Sequence, residues 1–553
     1  MSKSMGTSAR VDLSASCVSF GPSDAGDPSA LSGAFGPANA SPPAGPRGLS
    51  RLRRATFAVS LACALAACSF GPNGDAPAMP QPAHYGAEPL PTQTVAAQGV
   101  TQQFVAGAPT VPEWWKLYRS DALNALVDEG LRNSPTLAAT DQNLAAAREQ
   151  LRAQIGSSML PTIDAGGQAT RNRALAIPEI GPNTFLYDVF VGQLQAHYTF
   201  DLFGAERLAN AGLAAHVNVQ VYQFDAARRA LAANIVTATI TSAALHAQID
   251  TTERLVTLAN DQARDTARRY ELGAVSHADL LSAQQSAASV SASLPALKQQ
   301  WLTTRHALAV LLGRTPDAAP DDIDLALLHL PEQVPVAVPS ELLRSRPDIQ
   351  AADAALKAAA ANVGYATAQM FPSLSLSASM GQGGFSWPVA LSGAGAIWSI
   401  GASLSQPLFH GGALVAQRRA AQDSYEATVS QYKQTVLAAF QNVADTLASL
   451  EHDAQSLDAA NVAARAAQGV FDDTSARYRL GAVPIASTRS SEQQWRNAQL
   501  DEIRYTSARL TDTAALFQAM GNPPVAQAAA GASAGASTAA SASAGTTNAT
   551  ASN

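Results

Sequence analysis

The chain holds three cysteines in 553 residues, Cys17, Cys63 and Cys68, and none beyond residue 68. Disulfide staples, thiolate zinc clusters and a cysteine nucleophile are therefore excluded from everything that follows. Charge is scarce as well, at 14% of residues against the usual quarter, and the net charge of -7 comes without a long basic run after residue 68. Nucleic acid is not the main partner of such a chain. The nine histidines are scattered, with no pair at metal-ligand spacing on one helix face, and no Gly-rich phosphate loop occurs. His410-Gly411-Gly412 resembles a hydrolase oxyanion loop, but no Gly-x-Ser-x-Gly elbow lies between residues 113 and 521. We expect no catalytic chemistry, no metal and no cofactor.

What the N-terminal region does contain is an export signal. Residues 51–67 have a basic start (Arg51, Arg53, Arg54), an apolar run and then small residues, too short to span a membrane comfortably. Residues 1–50, rich in Ser, Gly, Pro and Ala, precede the signal and are expected to be absent from the cellular protein. Residues 68–112 read as a Pro-rich tether, extended and unpacked. Residues 522–553 are almost wholly small and polar and read as a disordered tail.

Between these ends the chain repeats itself. "RRYELGAVS" from Arg268 recurs as "ARYRLGAVP" from Ala476, and 478 − 270 = 208 positions separate Tyr270 from Tyr478. Pro135 answers to Pro347, and Leu202-Phe203 to Leu408-Phe409. That period is too long for a solenoid unit, so the chain is a duplicated half-protein with repeats at 113–330 and 331–521.

Each half reads in the same order. A helical pattern (123–160, 340–371) ends at a proline, and a strand hairpin follows. In "FPSLSLSASMG" Ser373, Ser375, Ser377 and Ser379 alternate with Leu374, Leu376, Ala378 and Met380, giving one polar and one apolar face. Next come proline-free stretches of about 65 residues with seven-residue apolar ladders, Val217 to Leu245 and Val429 to Leu457, which at 1.5 Å per residue reach about 100 Å. Each meets a Gly-centred turn, Gly273 or Gly481, and folds back as a shorter helix. Four strands cannot close a barrel and leave open edges, so a lipid-facing sheet needs strands from several chains. A soluble sandwich of the two hairpins is the competing reading of the alternation.

The chain resembles the TolC-like outer-membrane efflux proteins, in particular the OprM and NodT-type lipoprotein branch. The residues that carry the likeness are Leu65-Ala66-Ala67-Cys68, "VPSELLRSRPDIQAADAAL", "FPSLSLSASMG", "QPLFHGG" and the paired "RYELGAV" and "RYRLGAV" turns. The resemblance implies a mostly α fold with a small membrane β-barrel portion: long antiparallel helical hairpins forming a tunnel, and four strands per chain in a trimeric twelve-stranded barrel. It implies a homotrimer in the outer membrane with a periplasmic tunnel, an adaptor and an inner-membrane RND-type pump as partners, and the role of exit duct for small toxic compounds. A type I protein-secretion duct and a lipid-anchored coiled-coil scaffold are the alternatives. Cys68 would carry N-palmitoyl and S-diacylglycerol groups, and Ser69 after it implies outer-membrane sorting. The periplasmic gate would lie at the tips, at Tyr270, Gly273 and Asp279 of the first hairpin and Arg477, Tyr478 and Gly481 of the second, with a link available between Asp279 and Arg477 or Tyr478. Ser487 and Ser490, with Arg489 between, occupy positions where the family often has aspartates.

Overall fold

Proline decides where each half begins to fold. A computed structural model of the chain describes residues 71–80, 82, 84–86, 91–108, 111–175 and 184–521. The signal, Cys68 and the tail lie outside these described residues. The first half runs β1 (Gln103–Ala106), α1 (Asp121–Asn133), α2 (Pro135–Met159), β2 (Thr162–Leu175), β3 (Thr184–Phe200), α3 (Ala205–Glu271) and α4 (His277–Leu311). The second repeats that order as β4 (Gln333–Val336), α5 (Pro339–Ser345), α6 (Pro347–Ala368), β5 (Ser373–Gly384), a short α7 (Trp387–Ala390), β6 (Ala396–Ser405), α8 (Ala413–Arg479) and α9 (Ile485–Met520). The single helices expected over 123–160 and 340–371 are each broken in two. Ser134 and Arg346 take extended backbone (ψ 120° and 124°) because a following proline disfavours the helical region, and Pro135 and Pro347 then open α2 and α6.

The four long strands form one antiparallel sheet in the order β2-β3-β5-β6, so the two halves meet at β3–β5. Among the described residues β2 and β6 are unpaired on their outer sides. α3 and α8 each span 67 residues, about 100 Å at helical rise. The second ladder is the better buried: Val436, Val443, Leu450 and Leu457 are at most 2% exposed. In the first, Leu231 and Leu245 are buried and Val217, Phe224 and Ala238 are half-buried. One stretch of α3 is long and apolar enough to cross a membrane, but most of it is buried against neighbouring helices, as a core helix would be.

The tether is extended but, against expectation, packed. β1 pairs in parallel with β4, a contact between the N-terminal segment and the linker joining the halves. Tyr85 donates from its hydroxyl to Ala337 O at 2.6 Å and sets its ring edge-on to Phe440. Arg509 of α9, 1% exposed, donates to Thr94 Oγ1, Val100 O and Gln102 Oε1, and so fastens the segment to the second half. Beside it Trp114 stacks on Phe517 with ring centres 5.4 Å apart, and Tyr118 donates to Leu510 O at 2.8 Å. This polar and apolar seam packs residues 94–118 against α9.

Candidate channel surfaces and hairpin tips

Cross-strand register sorts the sheet into two faces, since side chains alternate along every strand. One row reads Thr162, His197, Ser377, Gly401, and two residues along it reads Asp164, Gln195, Ser379, Ser399. The rows that alternate with them read Ile163, Ala196, Ala378, Ile400 and then Ala165, Leu194, Met380, Trp398. Ser379 and Ser399 hydroxyls share a hydrogen bond at 2.9 Å across the polar face. Ile400 is 72% and Trp398 77% exposed on the other face, which stays open around them, while Trp387 and Val389 pack over its far end at Phe190 and Gly384. Burial of these apolar faces against each other, as in a sandwich, does not occur: both hairpins lie in one sheet.

At the far end of the helices the two turns are built alike. Gly273 (φ +70°) and Gly481 (φ +75°) take the left-handed conformation that closes a helix, donating to Tyr270 O and Tyr478 O at 2.8 Å. Ala274 and Ala482 then donate to Arg269 O and Arg477 O, one residue further back. The sequence spacing is thus a turn template used twice.

The side chains expected to link the hairpins do not do so within one chain. Asp279 closes a capping box at the start of α4: its carboxylate accepts from Ser276 N (3.0 Å) and Ser276 Oγ (2.8 Å), while Asp279 N donates to Ser276 Oγ (3.1 Å). Those bonds, the hydroxyl first, hold its pKa below the ordinary carboxylate value. Arg477 pairs with Asp473 of its own helix at 3.0 Å, and the Tyr270 ring sits 5.5 Å from His277. Tyr478 is 43% exposed.

The link that does form was missed in the sequence. Arg489 of α9 pairs with Asp265 of α3, joining the second hairpin to the first two turns above the tip. Its side chains are 20% and 37% exposed, so the pair is partly shielded. The one available signal was Arg489 standing between Ser487 and Ser490, but five carboxylates near the ends of α3 and α8 could have faced it. Above this link, Phe471 stacks on Trp495 at 5.3 Å and Arg496 lies 4.0 Å over the same indole.

A serine, a histidine and an aspartate do converge elsewhere, at Ser242, His246 and Asp322. Their wiring is structural: Ser242 Oγ (2.5 Å) and Trp301 Nε1 (2.9 Å) both donate to Asp322, and His246 stands 3.8 Å from the same carboxylate. No proton relay from Ser242 to His246 exists, and the aspartate clamps the linker between the halves onto α3 and α4.

Residues 126–314 and 338–522 match the family described as outer membrane efflux protein. The chain belongs to that family. The antibiotic efflux pump outer membrane protein ArpC of Pseudomonas putida is 29% identical over 468 residues, covering 83% of this chain and 93% of that protein. Nodulation protein T of Rhizobium leguminosarum is 26% identical, over 79% of this chain and 86% of its own length. The Campylobacter jejuni CmeC outer membrane channel has the same fold, with a TM-score of 0.71 at 21% identity over 82% of this chain and 95% of CmeC. The outer membrane efflux fold accounts for both observations above, the two-faced sheet and the paired 67-residue helices. This family member is accordingly an outer-membrane efflux channel protein with its helices in the periplasm, and members of the family are channels rather than enzymes.

Proposed function

We propose that three copies of this chain form the exit duct of a tripartite efflux system. The observation that carries the reading is the four-stranded sheet with one polar face, one exposed apolar face and free outer edges at β2 and β6. Three such sheets, joined edge to edge, close twelve strands around a water-filled lumen and leave no unpaired backbone in lipid. The helical hairpins continue the duct into the periplasm, where an adaptor and an inner-membrane RND-type pump deliver small compounds such as antibiotics, the cargo named for the ArpC relative. Detergent-extracted protein is expected to be a trimer that conducts ions in planar bilayers. A monomer that inserts, or a trimer without conductance, would overturn this.

Cys68 is the proposed lipid site, supported by the way the chain arrives from it. Gly71 and Gly74 lie against α6, where an added Cβ would stand 2.9 Å from Gly364 N and 3.0 Å from Ala360 Cβ. From Gly74 to Gly71 the segment climbs α6 toward Ala368, beyond which β5 begins, and three residues span no more than about 10 Å. That geometry suits an anchor at the inner leaflet, each buried methylene contributing about 0.8 kcal/mol. Cys68→Ser should abolish acyl labelling; unchanged labelling would move the anchor, most plainly to Cys63.

The hairpin tips are the proposed periplasmic gate, and Asp265–Arg489 supplies the contact within one chain that keeps the second hairpin against the first.

A further inference from the structure

The two strand hairpins differ at the end remote from the helices. Near the tip of the first, Arg171 of β2 lies 3.6 Å from Asp188 of β3, with Arg173 beyond. The second hairpin has no charge at all: no Asp, Glu, Lys or Arg occurs between Lys357 and Arg418. Its connecting segment, residues 385–395, is short, apolar and folded. Ala390 and Leu391 donate to Ser386 O (2.9 Å) and Trp387 O (3.0 Å), Gly395 donates to Ser392 O (3.0 Å), and Ala390 is buried.

The segment is folded onto one particular face. Gly384 is the register partner of Phe190, so both point to the face that carries Leu194, Met380 and Trp398. A Cβ at Gly384 would meet Ala390 N at 2.8 Å and Val389 Cγ1 at 3.0 Å, and the Trp387 ring lies 4.5 Å from Phe190. A Cβ at Gly383, on the polar side, would instead meet Ile397 and Val191. The connection therefore lies over the apolar face rather than across the mouth of the lumen. It leaves Phe385, Trp387 and Leu391 73%, 58% and 78% exposed.

We propose that residues 385–395 are an outer-leaflet anchor, placing Phe385, Trp387 and Leu391 in the headgroup–acyl boundary of the outer membrane. The height is right. On β3 the apolar face runs from Phe200 to Phe190, and ten residues at about 3.4 Å tilted by about 40° rise about 26 Å, against about 25 Å for the apolar band of an outer-membrane barrel. Phe200 with Tyr198 (ring centres 4.9 Å apart) marks the lower edge of the band, and Phe190 with Trp387 the upper. An indole with an apolar body and a polar N–H belongs at that boundary. Acyl chains are the occupant because the patch continues the lipid face without a charge or a step. The connection so placed serves as a brace for the barrel rim and leaves the exit open.

This inference rests on the reading that the apolar face of the sheet is the lipid face, and Trp398 in mid-band separates the two. The full chain is reconstituted in phosphatidylcholine vesicles in which some lipid carries a nitroxide near the headgroup end of its acyl chain, and tryptophan emission is compared with that of Trp387→Phe and Trp398→Phe. The emission lost in Trp387→Phe should be quenched at least about twofold by the nitroxide and little by iodide, as for an interfacial indole. Quenching by iodide alone would put the connection in water, and protection from both quenchers would put it against a neighbouring copy; either result overturns the proposal. For Trp398 the nitroxide is moved to the far end of the acyl chain, at mid-band depth, and absence of quenching there would overturn the lipid-face reading itself. A Leu391→Cys variant carrying a polarity-sensitive fluorophore repeats the measurement without altering any tryptophan.

Discussion

Breaking the Asp265–Arg489 pair should bias the tips toward the open state. The pair is partly shielded, at 20% and 37% side-chain exposure, so it falls near the upper part of the range for surface ion pairs, about 0.5–1 kcal/mol. Alone that is a small effect. In a three-fold ring, however, the contact is made three times, and if closure requires all three hairpins together the terms add to about 1.5–3 kcal/mol. A shift of that size changes the open-to-closed ratio by about 12- to 150-fold. Arg489→Gln or Asp265→Asn should therefore raise open probability in planar bilayers and the uptake of large antibiotics by cells, at equal trimer yield. The effect should weaken in high salt, which screens exposed pairs. The charge swap, Asp265→Arg with Arg489→Asp, should restore most of the closed population. Wild-type conductance in either single variant, or no recovery in the swap, would refute the reasoning.

Three further outcomes follow from contacts at the tips, the tether and the helical body. At Asp279 the two roles part: if its carboxylate serves the capping box, Asp279→Asn keeps much of the wild-type behaviour while Asp279→Ala frays the start of α4, as amide exchange there would report; equal damage by both would point to its charge. Because folding lowers the pKa of Asp279, its contribution is present above the unfolded value of 3.8 and lost only as pH falls through the lower folded value, so pH 6 to 8 should leave the cap unchanged. Gly71→Val, which would drive a side chain into Gly364 at a backbone φ of +110°, should make the tether a site of rapid proteinase K cleavage while conductance persists. Asp453 of α8, pushed up to about 7 first by burial and then by its bond to Asp512, binds a proton in the folded state that it lacks when unfolded; stability should fall as pH rises from the ordinary carboxylate range to 7, and Asp453→Asn should melt higher than wild type at pH 8 but not at pH 4.

The large elements were legible because each rests on a local rule. Absence of proline over 205–271 and 413–479, with a seven-residue ladder, can hardly give anything but long helices, and the glycines after them mark left-handed turns. Alternation from Ser373 to Met380 fixed the two faces of β5 in advance. What escaped were contacts between distant residues. β1 and β4 are four residues each and pair in parallel across some 230 positions, which no periodicity records. Arg509 reads as an ordinary surface cation on α9, yet the tether covers it and its guanidinium satisfies three oxygens there. The tether's Pro and Gly content suggested a free linker, but Gly71 is needed for a close approach to a helix, and composition does not distinguish the two uses. The breaks at Pro135 and Pro347 were visible as residues and misread as interior positions of one helix.

The duplication also explains why the two hairpins need not move equally. Both tips share one turn, but the helices that leave them start differently: α4 is pinned by the Ser276–Asp279 box, whereas Pro484 at the start of α9 offers no side-chain cap. A capped start resists fraying, and an uncapped one leaves the first turn to be held by whatever packs against it. For α9 that support arrives at Arg489, one turn in, and it comes from the other hairpin. α4 does carry Pro295, which removes one ladder bond, but Lys298 bridges to Glu253 of α3 at 2.7 Å just beyond it. At its tip the first hairpin is held by its own cap, whereas the second, although Phe471 and Trp495 pack α8 on α9, has its uncapped first turn held by the first hairpin. If the tips are the gate proposed above, the second hairpin is the part expected to swing on opening, with Asp265–Arg489 the contact given up.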